Sequence, residues 1–107
     1  MRISISERHA ALPDNIKDYA KEKAARLQRY YDRISAIEVK LDAAKNQCHV
    51  EMIVRVDGAD DFIASENNGD FFAGIDLVVE KLERQITKHK EILRNRKHGS
   101  RNPDKTP

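Results

Sequence analysis

Lys81, Arg84 and Lys88 stand at i, i+3 and i+7 in a stretch, DFFAGIDLVVEKLERQITKHKEILRNRKH, whose period is helical from Asp70 to His98. That spacing lines three cations one turn apart, roughly opposite an apolar stripe. Neighbouring like charges at these spacings cost about 0.2–0.5 kcal/mol per pair in an isolated helix. An anionic partner turns the cost into affinity, so the chemistry this pattern suits is phosphate binding. Lys90 and Arg94 extend the supply of charge: residues 81–101 hold eight Lys or Arg against Glu83 and Glu91, a net +6 in a chain of net +2. Everything else therefore sums to −4. Such concentration is the electrostatic footprint of nucleic-acid binding. Two structural reasons compete for some of these residues: Glu80 precedes Arg84 by four, and cations near a helix C-terminus complement the macrodipole.

Reaction chemistry has no comparable support. His9, His49, His89 and His98 show no metal-ligand spacing, there is no glycine-rich phosphate loop, and no nucleophile motif precedes a helix. His89 falls at the edge of the apolar stripe, where packing or a hydrogen bond suits it better than ligation. Asp60 and Asp61 fit a turn and an edge strand better than a catalytic pair. The single cysteine, Cys48, excludes an internal disulfide and a cysteine-based metal cluster, fits a reducing compartment, and reads as a small core residue on a strand. The expectation is a protein that is not an enzyme, with no metal, cofactor or small-molecule substrate. MRISISERHA lacks an apolar signal core, and no run approaches the ~20 apolar residues of a membrane span. A cytoplasmic protein without membrane contact is expected.

The elements that position these residues follow from periodicity. Residues 2–6 alternate as a short strand with Ile3 and Ile5 on one side. Pro13 and Asp14 open a helix to about Tyr31, in which Ile16, Tyr19, Ala20, Ala24, Leu27, Tyr30 and Tyr31 share a face. Lys23 and Arg26 border that face, with Arg29 and Arg33 further round. On pattern alone, their stems covering core rings is at least as good an account as binding.

From Ile34 the period becomes two. Ile37, Val39, Leu41 and Ala43 line one side of a second strand, and after a turn at Lys45 and Asn46 a third carries Val50, Met52, Val54 and Val56. Asp57 and Gly58 make a second turn before a brief strand over residues 61–65. SENNG, residues 65–69, reads as a polar loop, with Asp70 as N-cap of the long helix. Residues 1–98 then make one folded domain, and the polar residues 99–107, with two prolines, a disordered tail.

The fold class is α+β, in the order βαβββα: one four-stranded mixed sheet with both helices packed on one face, because each strand is apolar on one side only. The first crossover permits a parallel pair in the right-handed sense. With the helices side by side, Lys23 and Arg26 are expected to join Lys81, Arg84 and Lys88 in one basic ridge.

This order, with LQRYYDRI closing the first helix and DFFAGIDLVVEKLERQITKHK opening the last, resembles the ribosome hibernation factor family. The likeness covers about residues 1–95. Members typically read Asp, a hydrophobic residue, Tyr, two alanines, Ile and Asp, then KLxRQ; here stand Asp70, Phe71, Phe72, Ala73, Gly74, Ile75 and Asp76, then Lys81, Leu82, Glu83, Arg84 and Gln85. Phe72 replaces the common tyrosine, Gly74 an alanine, and Pro13 a frequent Thr cap. The resemblance implies a monomeric inhibitor that binds the small ribosomal subunit and its rRNA in the channel for mRNA and tRNA. Lys23, Arg26, Lys81, Arg84, Lys88, Lys90 and Arg94 are the expected RNA-binding residues. It also implies the short form, which favours pairing of idle ribosomes. Two other readings stay open on the residues themselves: a generic double-stranded RNA module, against which stands the acidic start of the last helix, and a protein-interaction module, whose binding would ignore salt.

Overall fold

Alternation of buried and exposed side chains defines four strands, β1 (Arg2–Arg8), β2 (Ile34–Ala44), β3 (Gln47–Val56) and β4 (Phe62–Asn68), in a computed structural model that describes residues 1–98, with side chains to Arg94. The expected tail, 99–107, lies outside the described residues. The sheet order is β1-β2-β3-β4: β1 runs parallel to β2, and the other pairs are antiparallel hairpins. Helices α1 (Asp14–Arg26) and α2 (Phe71–His98) cover one sheet face. The α+β class and the order βαβββα are those expected from periodicity.

Register puts Ile37, Val39 and Leu41 of β2 beside Val54, Met52 and Val50 of β3, all fully or almost fully buried. Ala20 and Ala24 close this core from α1, Leu27 closes it from the turn that follows, and Phe71, Ile75, Val78, Val79, Leu82 and Ile86 close it from α2. The β2–β3 turn places both Lys45 and Asn46 at positive φ, 54° and 61°, the geometry that matches strand twist in a two-residue hairpin. Cys48 packs against this core, and its thiol is pushed above its ordinary pKa first by burial and then by the Asp70 carboxylate.

Three boundaries differ from the sequence expectation. β1 continues to Arg8. β4 continues through Glu66, Asn67 and Asn68, which pair with Val50, His49 and Cys48, so the polar segment is strand rather than loop. The first helix tightens to a 3-10 turn at Leu27–Arg29, which carries Tyr31 into the core and leaves Tyr30 40% exposed instead of sharing the packed face.

Asp70 caps α2 as expected, its Oδ1 accepting from the Phe72 amide at 3.1 Å. Gly74 has a packing reason, because a Cβ there would lie 3.2 Å from Val50 Cγ2. Glycine thus lets α2 approach β3, offsetting its helix cost of about 1 kcal/mol. Gly74→Val should overpack this contact and lower stability by about 1–3 kcal/mol, read as a lower urea midpoint at unchanged m-value.

Candidate nucleic-acid interface

At about 100° per residue, a helix whose Leu82 and Ile86 face the sheet must send its other side chains along two flanks and an outer face. Lys81 and Gln85 fall on the β4 flank. Lys81 Nζ donates to the Ser65 carbonyl at 3.0 Å and pairs with Glu66 at 2.6 Å, while Gln85 Nε2 donates to the Ile63 carbonyl at 3.1 Å. β4 is an edge strand, so these two side chains occupy carbonyls that another chain could otherwise pair with.

The opposite flank meets α1. Tyr19 donates its hydroxyl to Asp76 Oδ1 at 2.6 Å, Lys23 Nζ lies 3.8 Å from the same oxygen, and that ammonium sits 5.3 Å from the Tyr19 ring centroid. Phe72 meets Tyr19 edge to face at 5.0 Å. The hydrogen bond to Asp76, then burial and the Asp76 charge, raise the Tyr19 phenol above its ordinary pKa of 10.0. Its contribution to stability is full below that ordinary value and is lost as pH rises through the folded value.

Further along this flank, Lys90 Nζ donates to the Tyr30 carbonyl at 2.6 Å. His89 makes edge-to-face contacts with Tyr31 at 5.6 Å and Phe62 at 5.3 Å, the packing role expected for it. Arg84 and Lys88 occupy the outer face, exposed, and line an open cleft of about 500 Å³ with Tyr30, Glu83, Thr87 and Glu91. Arg26 and Arg29 share a second, adjoining cleft with Tyr30 and Glu83. Arg94 is exposed on the last described turn.

The five cations expected to make one ridge, Lys23, Arg26, Lys81, Arg84 and Lys88, therefore do not all lie on one exposed surface. Lys81 is turned toward β4, away from α1, because residue 81 lies about 100° from Leu82 on the side of Gln85. Lys23, Lys81 and Lys90 each hold an intramolecular partner. Among the described residues, Arg26, Arg84 and Lys88 make no ion pair and are exposed, which leaves their charge available to an outside phosphate. Arg29 and Tyr30 complete the group around the clefts. Neither belongs to the cationic stripe of the sequence; the RYY run at a helix end is the signal that marks them.

Residues 3–94 match the family model described as Sigma 54 modulation protein / S30EA ribosomal protein. The chain belongs to this family. A ribosome hibernation promoting factor of Azotobacter vinelandii is 36% identical over 104 residues, 97% of this chain and 96% of the relative. That of Escherichia coli K12 is 31% identical over 94 residues, 88% of this chain and 98% of the relative. Among solved structures, a ribosomal subunit interface protein from Coxiella burnetii superposes with a TM-score of 0.77 at 25% identity, over 85% of this chain and 99% of that one. The N-terminal domain of Thermus thermophilus Protein Y gives 0.75 at 32% identity, over 83% and 99%. The family seen in the last helix is thus the right one, and it is a family of ribosome-associated regulators rather than enzymes. No described helix is long and apolar enough to cross a membrane.

Proposed function

We propose that this protein is a ribosome hibernation factor that binds the small ribosomal subunit through rRNA phosphates and occupies the path of mRNA and tRNA. The observation that carries the reading is the exposed cationic surface of the helix layer, in which Arg84 and Lys88 of α2 and Arg26 of α1 hold charge outside any ion pair of the described residues, around one pair of clefts. Family membership supports the ribosome as the partner. Lys23, Lys81, Lys90 and Arg94 supply further charge, with Lys23, Lys81 and Lys90 exchanging or sharing the partners Asp76, Glu66 and the Tyr30 carbonyl. Occupancy alone inhibits: a folded domain in the channel excludes its ligands sterically, and contacts without covalent chemistry release when salt or a competing factor displaces them.

On this reading residues 1–98 are the ribosome-binding domain, the free protein is a cytoplasmic monomer, and pairing of inactive ribosomes is a consequence of binding. Cosedimentation with purified small subunits should show saturable binding at one protein per subunit that weakens steeply between about 50 and 200 mM salt. Bound tRNA should compete with it. Binding indifferent to salt, or simultaneous binding of tRNA at full occupancy, would remove the channel from the account.

A further inference from the structure

Tyr30 is a large, partly exposed residue whose backbone amide and carbonyl are both hydrogen-bonded. Its amide donates to the Leu27 carbonyl at 3.0 Å, its own carbonyl accepts from Lys90 at 2.6 Å, and its neighbour Tyr31 is buried against His89. Tyr30 lines two adjoining clefts, as Glu83 does, with Arg84 and Lys88 in one and Arg26 and Arg29 in the other. A surface ring that only filled the core would be covered; this one is 40% exposed and bordered by cations.

We propose that Tyr30 is the stacking platform of a subsite for one unpaired RNA nucleotide, whose base lies on the ring while its flanking phosphates meet Arg84 and Lys88 on one side and Arg26 and Arg29 on the other. The inference rests on the ribosomal reading above and deepens it. Two features favour an unpaired nucleotide over a duplex. A duplex offers stacked bases whose faces are closed to a side chain, whereas a loop or bulge can splay a base onto an aromatic ring. Glu83 lines both clefts and Glu91 the first, and their negative charge disfavours a phosphate directly beside Tyr30 while leaving that space to the uncharged base. Lys90 is then a positioning residue, because it holds the Tyr30 carbonyl and not the ligand.

The chain contains no tryptophan, so Tyr30→Trp in this 107-residue chain gives a single indole reporter at the proposed platform. Its emission should be quenched by a single-stranded RNA oligonucleotide and by small subunits, and far less by a blunt RNA duplex of equal length. Tyr30→Ala should bind small subunits about 10- to 100-fold more weakly with an unchanged salt slope, and Tyr30→Phe should bind as the wild type does. Thermal melts showing both variants folded accompany these measurements. Wild-type binding that is salt-sensitive and weakened by Arg84→Glu, but equal in Tyr30→Ala, would overturn the subsite and leave the ribosomal reading standing. Failure of the wild type itself to bind subunits would overturn that reading instead. Equal quenching by duplex and single strand overturns the preference for an unpaired base, and no quenching by either overturns the platform.

Discussion

The double change Arg84→Glu, Lys88→Glu should lower affinity for the small subunit by ~100-fold or more and flatten the dependence of log affinity on log salt by roughly two units, one for each phosphate no longer neutralised. Both side chains are exposed on the outer face of α2 and make no ion pair among the described residues, so nothing inside the fold depends on their charge. Thermal stability should therefore stay close to that of the wild type. Lys81→Glu is a different experiment. It places a carboxylate where Lys81 now pairs with Glu66 at 2.6 Å and withdraws the donor from the Ser65 carbonyl. With the lysine side chain 40% exposed, solvent screens this exchange, and a cost of roughly 1 kcal/mol or less is expected. Including Lys81 in a charge-reversal set would thus mix a stability effect into a binding measurement, whereas the double change isolates the outer face. Binding equal to the wild type in the double variant would move the phosphate-binding surface elsewhere on the domain.

Periodicity makes the architecture legible because each strand and helix separates apolar from polar residues, and the core named by that separation is nearly the core observed. What escapes it has a common physical cause. Glu66 points to the helix side of β4, where an apolar residue would have marked the strand, and is accommodated there by Lys81. A 3.6-residue wheel assigns Tyr30 to the core face, but the chain leaves that period at Leu27. Spacing groups Lys81 with Arg84 and Lys88, although those three residues span the arc from a flank to the outer face. A wheel ranks positions by angle alone; which neighbour stands at each angle is tertiary information. Lys23, Lys81 and Lys90, all among the expected RNA-binding residues, already have partners inside the fold, and that too depends on elements far away in sequence.

Leu82→Ala is the change expected to cost most stability, about 3–4 kcal/mol, since Leu82 is fully buried at the centre of the α2 stripe and its removal leaves a cavity under a helix held by both neighbours. Against a total of about 5–15 kcal/mol for a domain of this size, that loss should lower the melting temperature by roughly 15 °C or more. Circular dichroism melts would read it directly, and a shift of only a few degrees would mean that α2 relaxes onto the sheet. Leu82 and Arg84 are two residues apart and face opposite ways, so the two variants should separate cleanly. The charge reversal loses affinity and keeps stability, while Leu82→Ala loses stability and, measured below its melting point, keeps most affinity and the full salt slope. Ligand linkage sharpens the contrast, because subunits at about 100 times the dissociation constant add about 2.7 kcal/mol to any variant that still binds. The Leu82 variant should therefore be protected from proteolysis by saturating subunits, and the charge-reversed one should not.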